Sequence, residues 1–151
     1  MADGVNKGKQ AETAFFHPDL LEIPEKGLPY LKGYRCRQCG KIWFPKFGRC
    51  PNPDCWSDEL EAIPLSRRGR IYSATDLFIG QPSMRQYMPL SVGYVDFPEG
   101  IRIFAQLDGE LGSFKCDDEV ELTTGPVRSN TKGEPISSYR FKKIEQIERP
   151  K

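Results

Sequence analysis

The sequence holds a single histidine, His17, and has no glycine-rich phosphate loop and no dinucleotide fingerprint. One histidine leaves no evident set of nucleophile, base and orienting group. His17 itself stands beside Pro18 at the start of a candidate helix, where a surface or helix-start role is favoured over general-base work. No apolar run approaches the roughly 20 residues that a membrane span requires, and the opening MADGVNKGKQAET lacks the apolar core of a signal peptide. An excess of one charge is missing too. The 22 Lys and Arg residues face 21 Asp and Glu, so no overall field draws the chain to nucleic acid or to an anionic membrane. These absences predict a soluble, cytoplasmic protein with neither a membrane nor a nucleic acid as its partner.

Five cysteines are present, and their placement is informative. Cys36-Arg-Gln-Cys39-Gly40 is followed, ten residues on, by Cys50-Pro-Asn-Pro-Asp-Cys55. Two close pairs separated by a loop long enough for a small hairpin suit a tetrahedral metal site better than a disulfide framework. Gly40 can take the positive φ that turns backbone amides towards the thiolates, and Pro51 tightens the second knuckle. Four cysteine ligands leave no open position for water, which makes the site structural. Zinc is the expected metal. Iron is the rival, because a rubredoxin-like site uses the same ligands, although four residues between Cys50 and Cys55 depart from the usual two. The fifth cysteine, Cys116, is expected to be a half-buried small residue, since no histidine lies near it in sequence to ionise its thiol.

Patterning divides the chain. Residues 1–14 are small, polar and without periodicity, as in a mobile tail. Over residues 15–33, Leu20, Leu21 and Ile23 between Pro18 and Pro24 predict a short helical segment, with a second short turn near residues 29–32. Residues 34–60 are rich in Cys, Gly and Pro and too poor in aliphatics to fold without a cross-link, as in a metal-nucleated zinc ribbon. Residues 60–68 read as a linker. Beyond them, five β-patterned runs follow at residues 69–79, 90–97, 101–107, 119–122 and 137–147, with a long loop at 80–89 and a Pro98-Glu99-Gly100 turn. Five strands in about 80 residues fit a closed antiparallel barrel of the OB type over residues 61–151, with an SH3-like barrel as the competitor. The expected fold class is therefore mainly β.

Cations and aromatics gather in one stretch of this otherwise neutral chain. Lys41, Lys46 and Arg49 interleave with Trp43, Phe44 and Phe47, and Arg67, Arg68 and Arg70 fall where the ribbon meets the barrel. A solvated face, a nucleic-acid surface and a pocket for one phosphorylated small molecule are all consistent with that composition.

The runs YRCRQCGKIWFPKFGRCPNPDC, ELEAIPLSRRGRIYSATDLF and PLSVGYVDFPEGIRIFAQLDG resemble, in order and over about residues 30–145, the acyl-CoA-associated OB-fold family with an N-terminal rubredoxin-like zinc ribbon. The resemblance rests on Phe44-Pro45 between the cysteine pairs, on Gly69-Arg70-Ile71-Tyr72-Ser73 and on the Pro98-Glu99-Gly100 hairpin. It implies a non-catalytic accessory subunit in a hetero-oligomer with a thiolase-fold enzyme, helping to hold CoA or an acyl-CoA thioester. Aromatic hydrocarbon degradation is the setting it suggests. Lys46, Phe47, Arg49, Arg67 and Arg68 supply the residue types that a CoA nucleotide needs. The competing readings are a single-strand nucleic-acid binder using Tyr72, Phe78 and Phe104, and an iron electron carrier.

Overall fold

A computed structural model describes residues 20–144. The expected tail, His17 and residues 145–151 lie outside them. The ribbon is built on a sheet with β2 (Tyr30–Cys36) at its centre. β1 (Leu21–Glu22), β3 (Ile42–Trp43) and β4 (Leu60–Pro64) all pair with it in antiparallel fashion. The helix expected across residues 15–33 is absent from the part described. Leu21 pairs with Leu31 and both side chains are buried, so extended pairing hides these leucines where a helix of this length would leave one side open. β4 likewise replaces the expected linker and carries the ribbon sheet on to residue 64.

The remaining strands close a barrel in the order β5-β6-β7-β9-β8, formed by β5 (Arg68–Leu77), β6 (Leu90–Asp96), β7 (Arg102–Asp108), β8 (Glu119–Ser129) and β9 (Pro135–Lys143). All pairs are antiparallel except β7 with β9, which gives the OB-type barrel that the five patterned runs predict. Alternation places Ile71, Val95, Leu107, Val120, Leu122 and Phe141 inside, essentially free of solvent. Gly93 is required where β6 crosses β5, because a Cβ there would overlap the Ser73 carbonyl oxygen. A 3-10 helix at Pro82–Tyr87 organises the long loop after β5, and Gln86 Nε2 ties it to Ser129 Oγ at 2.8 Å.

Ribbon and barrel share one core. Leu21, Leu31 and Leu65 belong to the same buried cluster as Ile71 and Phe141, and Phe44 of the ribbon packs edge-on against Tyr139 of β9 with centroids 5.8 Å apart. Arg67 locks the junction. Its Nε donates to Pro29 O at 2.8 Å, its Nη2 to Leu122 O at 2.8 Å, and its Nη1 pairs with Glu121. Replacing this half-buried fork strands two carbonyls and a carboxylate, so Arg67→Ala should lose about 1–3 kcal/mol in urea unfolding. A loss below about 0.5 kcal/mol, the range of an ordinary surface substitution, would show that the junction does not depend on it.

Candidate metal centre and its cationic face

The two knuckles are made by local backbone bonds. At the first, Cys36 N donates to Lys41 O and Gly40 N to Cys36 O, each at 2.9 Å, with Gly40 at φ +82°. This turn aims the Gln38 and Cys39 amides at Cys36 Sγ, both at 3.4 Å. At the second, Asn52 organises the longer spacing. Its carbonyl accepts from Cys55 N and Trp56 N at 2.9 and 3.0 Å, its Oδ1 accepts from Asp54 N, and Cys50 N reaches Ser57 O.

These turns bring the sulfurs of Cys36, Cys39, Cys50 and Cys55 within 4.8 Å of one another. Cys36 to Cys55 is 3.5 Å and Cys39 to Cys50 is 3.6 Å. A tetrahedral zinc with Zn–S bonds of about 2.3 Å needs sulfurs about 3.8 Å apart, so the cluster fits a metal of that kind and can bind one. Cys36 and Cys50 are fully buried whereas Cys39 is exposed, which sets the centre at the ribbon's edge. The thiols differ in acidity. The Cys39 amide, opposed by burial and aided by the Gln38 amide, lowers Cys36 to about 6. The Lys41 amide lowers Cys39, and burial raises Cys50. At Cys55 the Ser57 amide acts downwards, but burial and the sulfurs of Cys36, Cys39 and Cys50 together push it up to about 12. Crowding four sulfurs thus opposes full ionisation without a cation, as expected of a site completed by metal.

The cations divide into two groups. Among the described residues, Arg35 and Arg37 pair with Glu61, whose carboxyl is lowered mainly by its Arg35 hydrogen bond, while Lys46, Arg49 and Arg68 have no carboxylate within 4.0 Å. Lys46 Nζ stands 5.8 Å from the centroid of the Tyr34 ring, and Arg49 Nη1 donates to Trp56 O at 3.2 Å. Phe47, 39% exposed, leans edge-on against Trp43, and Trp56 is 59% exposed. Arg67 is committed to the junction. Arg68 lines a separate cleft of about 540 Å³ with Arg70, Tyr72 and Cys116. Cys116 is exposed and not half-buried, because it lies on the surface turn that leads into β8 and its Sγ merely donates to Tyr72 O at 3.3 Å. Trp56 adds an exposed ring to this face, and its position directly after Cys55 is the sequence signal that marks it as an aromatic carried by the second knuckle.

The aromatics proposed for stacking bases are partly occupied. Arg102 lies 3.4 Å above the Tyr72 ring, held there by Asp96, which also raises its pKa, while Phe104 packs edge-on with Tyr94. Phe78 remains exposed.

Two family models match the chain in series, described as the rubredoxin-like zinc ribbon domain of ChsH2 over residues 26–61 and the C-terminal OB-fold domain of ChsH2 over residues 62–125. The benzoylsuccinyl-CoA thiolase subunit BbsA of Thauera aromatica is 58% identical, over 90% of this chain and 92% of that protein. The subunit of the same name from Geobacter metallireducens is 54% identical over 91% and 92%. A DUF35 domain-containing scaffold protein of Methanothermobacter thermautotrophicus is 32% identical over 74% and 84%. The solved Ltp2-ChsH2(DUF35) aldolase contains a chain that superposes with a TM-score of 0.57 at 22% identity, covering 74% of this chain and 84% of that one, which is a likeness of fold.

The geometry makes the four clustered cysteines, and not Cys116, the candidate ligand set. Cys39→Ser should reduce zinc content from about one ion per purified chain to a small fraction, whereas Cys116→Ser should leave it unchanged. Metal retained in full by Cys39→Ser would overturn the assignment.

Proposed function

The chain belongs to the family that joins a rubredoxin-like zinc ribbon to an OB-fold barrel, and from that premise we propose that it is a non-catalytic accessory subunit of a thiolase-type enzyme that helps to hold CoA or an acyl-CoA. The observation that carries this reading is the 58% identity, across nearly the full length of both proteins, with a subunit named for benzoylsuccinyl-CoA thiolase. Zinc is the proposed metal. Its contribution is a cross-link that folds the ribbon, because all four ligand positions are filled by sulfur.

The distribution of side chains supports the division of labour. Thiolytic cleavage requires a nucleophile and acid–base groups, and the described residues include no histidine, while the hydrogen bond of Cys116 Sγ goes to a backbone carbonyl, Tyr72 O. That chemistry belongs to the partner. The ribbon offers what a phosphorylated nucleotide needs: Lys46 and Arg49 without carboxylate partners, and Phe47 and Trp56 as exposed rings against which adenine can rest. Arg68 is proposed as a further cation near the barrel, while Arg67, fully committed to the junction, is withdrawn from phosphate binding and kept as the residue that sets ribbon against barrel. No helix among the described residues is long and apolar enough to cross a membrane, and a cytoplasmic hetero-oligomer is the proposed setting.

Purification from native cells at moderate salt should recover this chain with a larger thiolase-fold chain as a colourless zinc protein. Lys46→Ala with Arg49→Ala should weaken CoA binding by about tenfold or more while the complex stays intact. Recovery with RNA-processing proteins, and affinity for single-stranded oligonucleotides that falls steeply with salt, would replace this reading with nucleic-acid binding. A red, reversibly reducible protein would replace zinc with iron.

A further inference from the structure

A cleft of about 790 Å³ opens on the barrel where the 3-10 helix of the loop after β5 meets the turn between β8 and β9. Its two walls are distant in sequence but tied together. Gln86 Nε2 donates to Ser129 Oγ at 2.8 Å, and the Tyr87 hydroxyl stands 3.4 Å from the same oxygen. The second wall is shaped by Asn130, whose Oδ1 accepts from Lys132 N and Glu134 N at 2.9 Å each, with Gly133 at φ +83° closing the turn. The cleft is thus built by bonds within and across its walls.

Its lining is positive and holds no carboxylate. Arg85 comes from one wall and Arg128 from the other, with the hydroxyl residues Ser83 and Thr131 beside them. Arg85 is exposed and has no carboxylate within 4.0 Å, and the hydroxyls of Ser83 and Thr131 have no partner among the described residues. The one carboxylate of the turn, Glu134, accepts from Asn130 Nδ2 at 2.9 Å. The cleft at Arg68 and Arg70 differs, since Asp96, Asp117 and Glu119 stand among its arginines.

Like charges on one concave surface repel, and a chain with 21 Asp and Glu has carboxylates enough to set one between them. A lining without one favours an anion from outside. Guanidinium forks with hydroxyl donors match the oxygens of carboxylates and phosphates, and a cation on each wall favours two negative charges over one.

We propose that this cleft binds a small doubly charged oxyanion, a dicarboxylate or phosphate, held by Arg85 and Arg128 with Ser83 and Thr131 as hydroxyl donors. None of these residues belongs to the ribbon, so the site is independent of the CoA reading.

Titration calorimetry on the zinc-loaded full chain, with succinate and inorganic phosphate as probes and acetate as the singly charged control, tests it. Succinate, phosphate or both should bind at one per chain, about tenfold or more tighter than acetate. Arg85→Ala should weaken that binding by about tenfold, Arg85→Lys should recover only part of it, and Thr131→Ala should cost about threefold. Lys46→Ala with Arg49→Ala should leave it unchanged. Succinate alone would identify a dicarboxylate and phosphate alone a tetrahedral anion, and either result sustains the site. No saturable binding of either probe, acetate binding as tightly as both, or unchanged affinity in Arg85→Ala and Thr131→Ala would overturn the proposal. Displacement of the bound probe by CoA, or its loss in the ribbon double variant, would overturn it as a separate site.

Discussion

Four sulfurs held within 4.8 Å are the constraint on which the ribbon depends. The segment they enclose has little else to hold it together. Between Cys36 and Cys55 the strand content is one two-residue strand, and the exposed side chains include Phe47 and, just beyond, Trp56. Burial of apolar surface cannot fold so short and polar a stretch, whereas a metal bound by four thiolates contributes folding free energy directly. The ionisation pattern is mixed, since backbone amides lower Cys36 and Cys39 whereas burial and the other three sulfurs push Cys55 up, so a cation is what would hold all four as thiolates.

What the metal fixes locally, the junction fixes globally. Arg67 reaches from the start of the barrel back to the carbonyl before β2 and across to β8, so the ribbon sheet cannot swing without breaking bonds to both. Phe44 against Tyr139 and the shared leucine cluster make the contact apolar beneath that polar lock. The consequence is positional. Lys46 and Arg49, which have no carboxylate partners, are held on a rigid knuckle beside an OB-type barrel. Ion pairing occupies the ribbon's other arginines, Arg35 and Arg37, through Glu61, so the free positive charge is concentrated on the knuckle face.

Much of this was legible in the sequence, and the failures have physical causes. The cysteine spacing announced the metal cluster because ligand geometry restricts spacing tightly, and strict alternation announced β7 because its two faces differ so sharply in burial. Residues 20–33 misled because Pro18 and Pro24 frame a helix-like interval, yet pairing with β2 decided the conformation of Leu21 and tertiary contact overrode the local signal. β4 looked like a linker because Glu61, Ala62 and Pro64 dilute its apolar character, while its backbone pairing with β2, from Leu60 against Cys36 to Pro64 against Lys32, is a tertiary contact that local composition does not show. Arg67 and Arg68 were indistinguishable as neighbours, and only the fold shows that one is locked in the junction while the other lines a cleft.

If the metal is the folding clamp of the cation-bearing ribbon, its removal unfolds Cys36 to Cys55 and leaves the barrel strands on the core that they share with Leu21, Leu31 and Leu65. Amide hydrogen exchange, measured on the zinc-loaded protein and again after chelation, reads this out segment by segment. Protection should collapse across Cys36 to Cys55 while the amides of β6, β7 and β9 keep theirs. Undiminished protection in the ribbon after metal removal, or loss of protection throughout the barrel at the same time, would contradict that role of the metal.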